Sequence, residues 1–191
     1  MSEPTPVTSP AGVTPAAPDA RRRWIVFGGL ALLVVVADQI SKLWVDAGFA
    51  QAWAHGAVSG LAAPTPVIGD FVRIAKSYNS GGLFGLIPAS APILALASIV
   101  VIVLLVYTHA RAGLGGSMLT TIALGLLLGG ALGNLVDRIR LGTVIDWVDM
   151  GIGDLRWFTW NIADAAISLS IVALVLASLL PARPDPAEAG R

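Results

Sequence analysis

Four apolar runs divide the chain. The first extends from Trp24 to about Val45, the second from about Ala91 to Thr108 and the third from Met118 to Val136. The fourth extends from near Asn161 to Leu180, just before Pro181. A helix needs roughly 20 predominantly apolar residues to cross a bilayer. The first run reaches that length only by continuing from its charge-free part, Trp24 to Ala37, through Asp38 to Val45. A cleaved signal peptide is the competing reading of its start, with a basic flank, an apolar stretch and small residues near Val35-Val36-Ala37. The apolar pattern continues past Ala37 and three further runs follow, so a retained helix is the simpler reading. Between the runs, Val72-Arg73-Ile74-Ala75-Lys76-Ser77-Tyr78 alternates as a half-buried strand does, and Thr143-Val144-Ile145-Asp146-Trp147-Val148 is also short and strand-like. Gly56, Gly60, Pro64, Pro66 and Gly69 predict turns before the first of these.

Composition supports lipid as the solvent: 55% of residues are hydrophobic and only 13% charged, against about 25% charged in soluble domains. The length of 191 residues suits one domain. Residues 1–20, rich in Pro, Ala, Ser and Thr, predict a disordered cytoplasmic tail. The four-helix domain then covers 21–181, with outer segments 46–90 and 137–160, and 182–191 form a short cytoplasmic tail. Lys and Arg are divided six and six between the two sides, so the Arg21-Arg22-Arg23 cluster before the first span decides orientation and places both termini in the cytoplasm. Trp147, Trp157, Phe158 and Trp160 then sit where an interfacial aromatic belt would lie. With no cysteine, disulfides, Cys-ligated zinc and cysteine nucleophiles are excluded, and His55 and His109 show no metal-ligand spacing. A net charge of zero gives no basic surface for nucleic acid.

This topology gathers Asp38, Asp46, Asp70, Asp137, Asp146, Asp149, Asp154 and Asp164 on the outer side. Ionisable residues at span ends are costly and point to function. Asp38 and Lys42 are i and i+4 on one helical face, in the favourable acid-before-base order. With Asp137 beside Arg138 and Arg140, they predict two polar clamps that fix helix register. Asp46, Asp70, Asp149 and Asp154 read as solvated, the last two near lipid headgroups. Asp146 and Asp164 are left without a basic partner near in sequence. Brought together, they would share one proton: the ionised carboxylate can activate a water and the protonated one can donate to a carbonyl oxygen. Such chemistry needs neither metal nor cofactor. Taken singly, an Asp at a helix start is more often a partner of the helix dipole. Gly125, Gly129 and Gly133 form a small-xxx-small stripe for close helix packing. Other peptidase patterns fail: neighbouring Ser41 and Lys42 point apart on a helix, there is no HExxH, and Gly56 to Gly60 lacks the glycine spacing of a nucleophile elbow.

Taken in order, Asp38-Gln39-Ile40-Ser41-Lys42, Asn79-Ser80-Gly81-Gly82-Leu83-Phe84, Gly133-Asn134-Leu135-Val136-Asp137-Arg138, Val144-Ile145-Asp146 and Asn161-Ile162-Ala163-Asp164 resemble the motifs of the lipoprotein signal peptidase (signal peptidase II) family. The resemblance covers about residues 24–181. It implies a bacterial inner-membrane aspartic endopeptidase that cleaves diacylglyceryl-modified prolipoproteins just before the lipidated cysteine. It also implies four transmembrane helices, a small extracytoplasmic β-cradle and a lid. By resemblance Asp146 and Asp164 are catalytic, and Asn79, Gly81, Asn134, Arg138 and Asn161 surround the substrate. Asp38, Lys42 and Asp137 are then supporting polar residues. The implied partners are the prolipoprotein and membrane lipids, with the enzyme a monomer and the site at the outer leaflet. The chain departs from the family at Gly82-Leu83 (usually Ala-Ala), at Trp160 (usually Phe) and in its longer N-terminal tail. A proton or cation transporter using Asp38, Asp137 and Asp164, and a non-catalytic lipoprotein chaperone, are the competing functions.

Overall fold

The computed structural model describes residues 20–52, 61–81, 91–112 and 117–179. Most of both predicted tails, the turn glycines at 56 and 60, and the second half of the Asn79–Phe84 motif lie outside the described residues. Four helices follow the four apolar runs: α1 (Ala20–Gly48), α2 (Ala91–Ala112), α3 (Met118–Leu141) and α4 (Ile162–Leu179). All four are long and apolar enough to span a membrane, and α1, at 29 residues, extends about 44 Å at 1.5 Å per residue.

The central helix is α3, against which α1, α2 and α4 all pack. Its glycine stripe explains why. A Cβ on Gly129 would lie 2.7 Å from Val34 Cβ and 2.8 Å from the Ala31 carbonyl, and one on Gly133 would lie 2.7 Å from Asp38 Oδ2. These glycines bring the α1 and α3 backbones close, as small residues do where lipid offers no hydrophobic drive between helices. The helix starts at Ser117, whose hydroxyl accepts from the Thr120 amide at 3.0 Å, and stops at Gly142, which takes a left-handed conformation (φ 71°).

On α1 the buried positions are Arg23, Phe27, Ala31, Val34, Asp38, Lys42 and Val45. They recur every three or four residues, a single helical face. Large apolar residues such as Leu32, Leu33, Ile40 and Leu43 face outward. The helix is thus turned inside out relative to a soluble one, with its charges inward and its leucines toward lipid.

Beyond one end of the helices lies an open four-stranded antiparallel sheet in the order β1-β2-β3-β4, with β1 (Thr65–Ile68), β2 (Val72–Asn79), β3 (Val144–Ile152) and β4 (Leu155–Arg156). The fold is thus four membrane-spanning helices with a small sheet, as expected. β2 and β3 coincide with the two predicted strands, and β3 runs four residues further than expected. β1 lies where Pro64, Pro66 and Gly69 predict turns. Pro66 is tolerated because β1 is an edge strand, with no neighbour on its outer side. At two residues, β4 is too short for its alternation to be read. Gly69 (φ 51°) and Gly153 (φ 55°) make the two hairpin tips.

Asp149 corrects an expectation. Instead of being solvated near headgroups it is fully buried in the sheet, 2.6 Å from Arg73 Nε and 2.7 Å from Arg156 Nη2. Asp70 is exposed but also pairs with both arginines. Asp46 stays exposed while holding Lys76 and the Tyr78 hydroxyl, which ties α1 to β2. Asp154 is exposed, as expected of a solvated residue.

Replacing Gly129 with Leu is expected to destabilise the folded protein in detergent by at least ~1–3 kcal/mol. Gly28→Leu, at a position where an added Cβ meets nothing within 4 Å, is expected to be near neutral. Thermal unfolding of the two variants checks this; equal melting temperatures would contradict the close α1–α3 approach.

Candidate active site

The three helix ends nearest the sheet carry the polar residues singled out in the sequence. Lys42 lies at their centre, 1% exposed. Its ammonium sits 2.8 Å from Asp38 Oδ2, 2.9 Å from Asp137 Oδ2 and 3.0 Å from Asn134 Oδ1, one partner for each N–H. The expected Asp38–Lys42 pair is present. The expected pairing of Asp137 with Arg138 or Arg140 is not: Arg138 follows directly on the helix and points another way, and Arg140, three residues on, is taken by another partner. Asp137 turns inward to Lys42, Arg138 is half-buried with Nη1 3.4 Å from the Asn134 carbonyl, and Arg140 donates to Gln39 Oε1.

Each clamp carboxylate has a second task. Asp38 Oδ1 accepts the backbone N–H of Ala163 at 3.0 Å, at the start of α4. Asp137 Oδ2 accepts the backbone N–H of Ile145 at 3.1 Å, one residue before Asp146 on β3. One buried ion triad therefore holds both elements that bear the unpaired acids. Gln39, which sequence reasoning missed, completes it by donating to Asp38, to Asp137 and to the Gly133 carbonyl. Its only signal was a polar side chain beside Asp38 in an apolar run.

Asp164 stands in the first turn of α4. Its backbone N–H donates to Asn161 Oδ1 at 2.9 Å and its Oδ2 accepts from the Asn161 backbone N–H at 3.3 Å, a reciprocal capping box. The dipole-partner reading of an Asp at a helix start therefore holds as well. Its Oδ1 accepts from Asn134 Nδ2 at 2.8 Å. Asp146, 3% exposed on β3, accepts from Asn161 Nδ2 at 2.6 Å and from Asn79 Nδ2 at 3.0 Å. Asn79 is oriented in turn by the Gly81 amide, which donates to its Oδ1 at 3.1 Å in an Asx turn. Asn161 thus bonds both unpaired carboxylates, and the fold gathers all ten residues named from the sequence into this region. Arg138 is close enough for its charge to act on Asp146 and Asp164.

Burial, and next the negative charge of Asp164, push the Asp146 carboxyl up to about 7, against the opposing hydrogen bonds from Asn79 and Asn161. At neutral pH Asp146 is therefore poised to hold a proton. The ordinary value is 3.8, so the folded chain keeps a proton that the unfolded chain releases. Stability from this group is fully present below 3.8 and is lost as pH rises to about 7. The amide introduced by Asp146→Asn carries no titrating proton. The melting temperature of that variant relative to wild type is expected to rise by at least about 4 °C between pH 4 and pH 8. A difference that stays flat across that range would contradict the raised carboxyl.

Comparison with known proteins places the chain. The family model for signal peptidase (SPase) II matches residues 30–180. The lipoprotein signal peptidase of Syntrophus aciditrophicus is 38% identical over 157 residues, covering 80% of this chain and 91% of that protein. That of Methylorubrum extorquens is 37% identical over 168 residues, covering 83% and 89%. Two solved bacterial membrane enzyme structures, each 26% identical, superpose with TM-scores of 0.67 and 0.66 over 78% of this chain and 85% and 90% of theirs. The chain belongs to the signal peptidase II family and is a multi-pass membrane aspartic peptidase that cleaves signal peptides.

Proposed function

We propose that this peptidase removes signal peptides from diacylglyceryl-modified prolipoproteins, cleaving just before the lipidated cysteine, with Asp146 and Asp164 as its catalytic pair. The observation that carries the reading is the meeting of two carboxylates, one from a strand and one from a helix, on the single residue Asn161, whose side-chain NH2 donates to Asp146 and whose backbone N–H donates to Asp164. The relatives' shared name supports the substrate class.

Asp164, ionised, takes a proton from a water as its oxygen bonds to the scissile carbonyl carbon. Asp146 gives its proton to the carbonyl oxygen, and a neutral gem-diol forms. The C–N bond then breaks, the leaving nitrogen takes the proton held by Asp164, and a diol hydroxyl returns its proton to Asp146. The pair ends as it began, with one proton between two carboxylates. Asn79, Asn134 and Asn161 hold the carboxylates for these transfers, and Arg138 supplies positive charge beside them.

The position of the site suits a lipidated substrate. Its acyl chains stay in the bilayer and its signal sequence spans it, so the scissile bond lies near the interface, where helices give way to sheet. A transport path would place acids near the bilayer midplane; here they stand at helix ends, and Asp146 lies on a strand. The Arg21–Arg23 cluster supports cytoplasmic termini and a site at the outer leaflet.

Asp146→Asn and Asp164→Asn, purified in lipid, are each expected to lower cleavage of a diacylglyceryl lipobox peptide by roughly 10²–10⁴-fold or more. Wild-type cleavage by either folded variant would remove that residue from the pair. The chain has no cysteine, so single cysteines report topology cleanly. Asp154→Cys is expected to react with an impermeant thiol reagent on intact spheroplasts, and Ser2→Cys only after permeabilisation. The opposite pattern would invert the orientation.

A further inference from the structure

The amides around the two carboxylates have a fixed polarity. Asn79 and Asn161 each turn an oxygen to a backbone N–H, that of Gly81 and of Asp164 respectively, which leaves their NH2 groups for Asp146. Asn134 has no such backbone partner for its oxygen. What faces that oxygen is the Lys42 ammonium at 3.0 Å and Asn161 Nδ2 at 3.2 Å. An ammonium has three donors and no acceptor. The Asn134 side chain therefore cannot rotate its NH2 toward Lys42, and the NH2 must point the other way, to Asp164 Oδ1 at 2.8 Å.

Resting on the catalytic assignment above, we infer that Lys42 is a positioning residue for the reaction: by fixing the polarity of Asn134 it keeps an N–H donor on Asp164 and so keeps that carboxylate ionised as the base. Lys42 touches neither catalytic carboxylate through a hydrogen bond of its own. Its three N–H groups are taken by Asp38, Asp137 and Asn134. Without it only the longer contact from Asn161 Nδ2 at 3.2 Å would hold the Asn134 oxygen away from Asp164, and an oxygen turned there would repel the ionised form. The charged groups facing Asp164 are Lys42 and Asp38 from α1, Arg138 from α3, and Asp146 from β3. Lys42 is the one among them that also dictates which end of a neutral amide meets the base. Such a role differs from that of a clamp, which would hold helices together without regard to the protonation of the pair.

The test is the pH profile of kcat/KM on a diacylglyceryl lipobox peptide. Lys42→Gln is made together with Asp38→Asn, which removes one positive and one negative charge and leaves side chains of similar size. The glutamine amide introduced in place of the ammonium can donate or accept, so Asn134 loses the shorter and charged of the two donors that fix its polarity. The acid limb of the profile is expected to move to higher pH by about one unit or more, because an ionised carboxylate loses a hydrogen bond, while KM changes less than the limb does. Lys42→Arg, again a donor only, is expected to keep the wild-type limb. A folded double variant with an unshifted limb would leave Lys42 a purely structural clamp and overturn the proposal. Should the double variant not fold, Asn134→Leu decides: it removes the amide, adds no charge and leaves Lys42 its two carboxylates. It is expected to show the same shift, and an unshifted limb overturns the proposal. Asp146→Asn and Asp164→Asn run in the same assay keep the two readings apart, since activity in either defeats the catalytic assignment whatever Lys42 does.

Discussion

A single ammonium group, buried among three helix ends, is the constraint on which the site depends. Removing an ion of this size from water costs on the order of 20 kcal/mol in the idealised limit and several kcal/mol after relaxation. Lys42 is tolerated because each N–H has an oxygen, two of them carboxylate. The arrangement is mutual. Asp38 and Asp137 would themselves be unpaired without Lys42, and each also caps a backbone N–H, of Ala163 and of Ile145. The ion triad therefore fixes the start of α4 and the start of β3 against α1 and α3. The carboxylates of Asp146 and Asp164 inherit their placement from it.

Much of this was legible in the sequence because lipid is a strict solvent. Backbone groups in a bilayer must be satisfied within the segment, so four apolar runs could only be helices, and their limits are close to those read from hydropathy. Charges inside such runs are few, so each one carried information. Asp146 and Asp164 stood out because neither had a base within a helical turn. What the sequence could not reveal was which distant partner each charge chooses. The choice of Lys42 over Arg138 by Asp137 depends on the α1–α3 crossing, set by glycines whose own meaning is only closeness. Asp149 looked solvated because its partners, Arg73 and Arg156, become neighbours only once β2, β3 and β4 are in register. The Asn161–Asp164 capping box was visible as a spacing of three, yet the same spacing also suits a helix face that turns toward a substrate.

The sheet and the helices answer to different solvents, and the site lies where they meet. On α1 the polar stripe is inside and the leucines outside, whereas the sheet buries Asp149 in a matched set with its arginines and leaves Asp146 to amide donors. An aspartic peptidase needs one carboxyl sheltered enough to keep its proton and another held by donors so that it loses one. A strand leaving the bundle and a helix entering it supply these two environments a few residues apart.

The antiparallel bridge between Val148 and Trp160 closes the chain on itself just outside the pair of Asp146 and Asp164. Asp146 and Asp164 both lie on the helix side of that closure. Residues 149–159 therefore form a loop joined to the site at its base, with β3 still paired to β2 and Asp149 bound by both Arg73 and Arg156. An insertion at the exposed tip, beside Gly153 and Asp154, would therefore leave the two carboxylates where the bundle holds them.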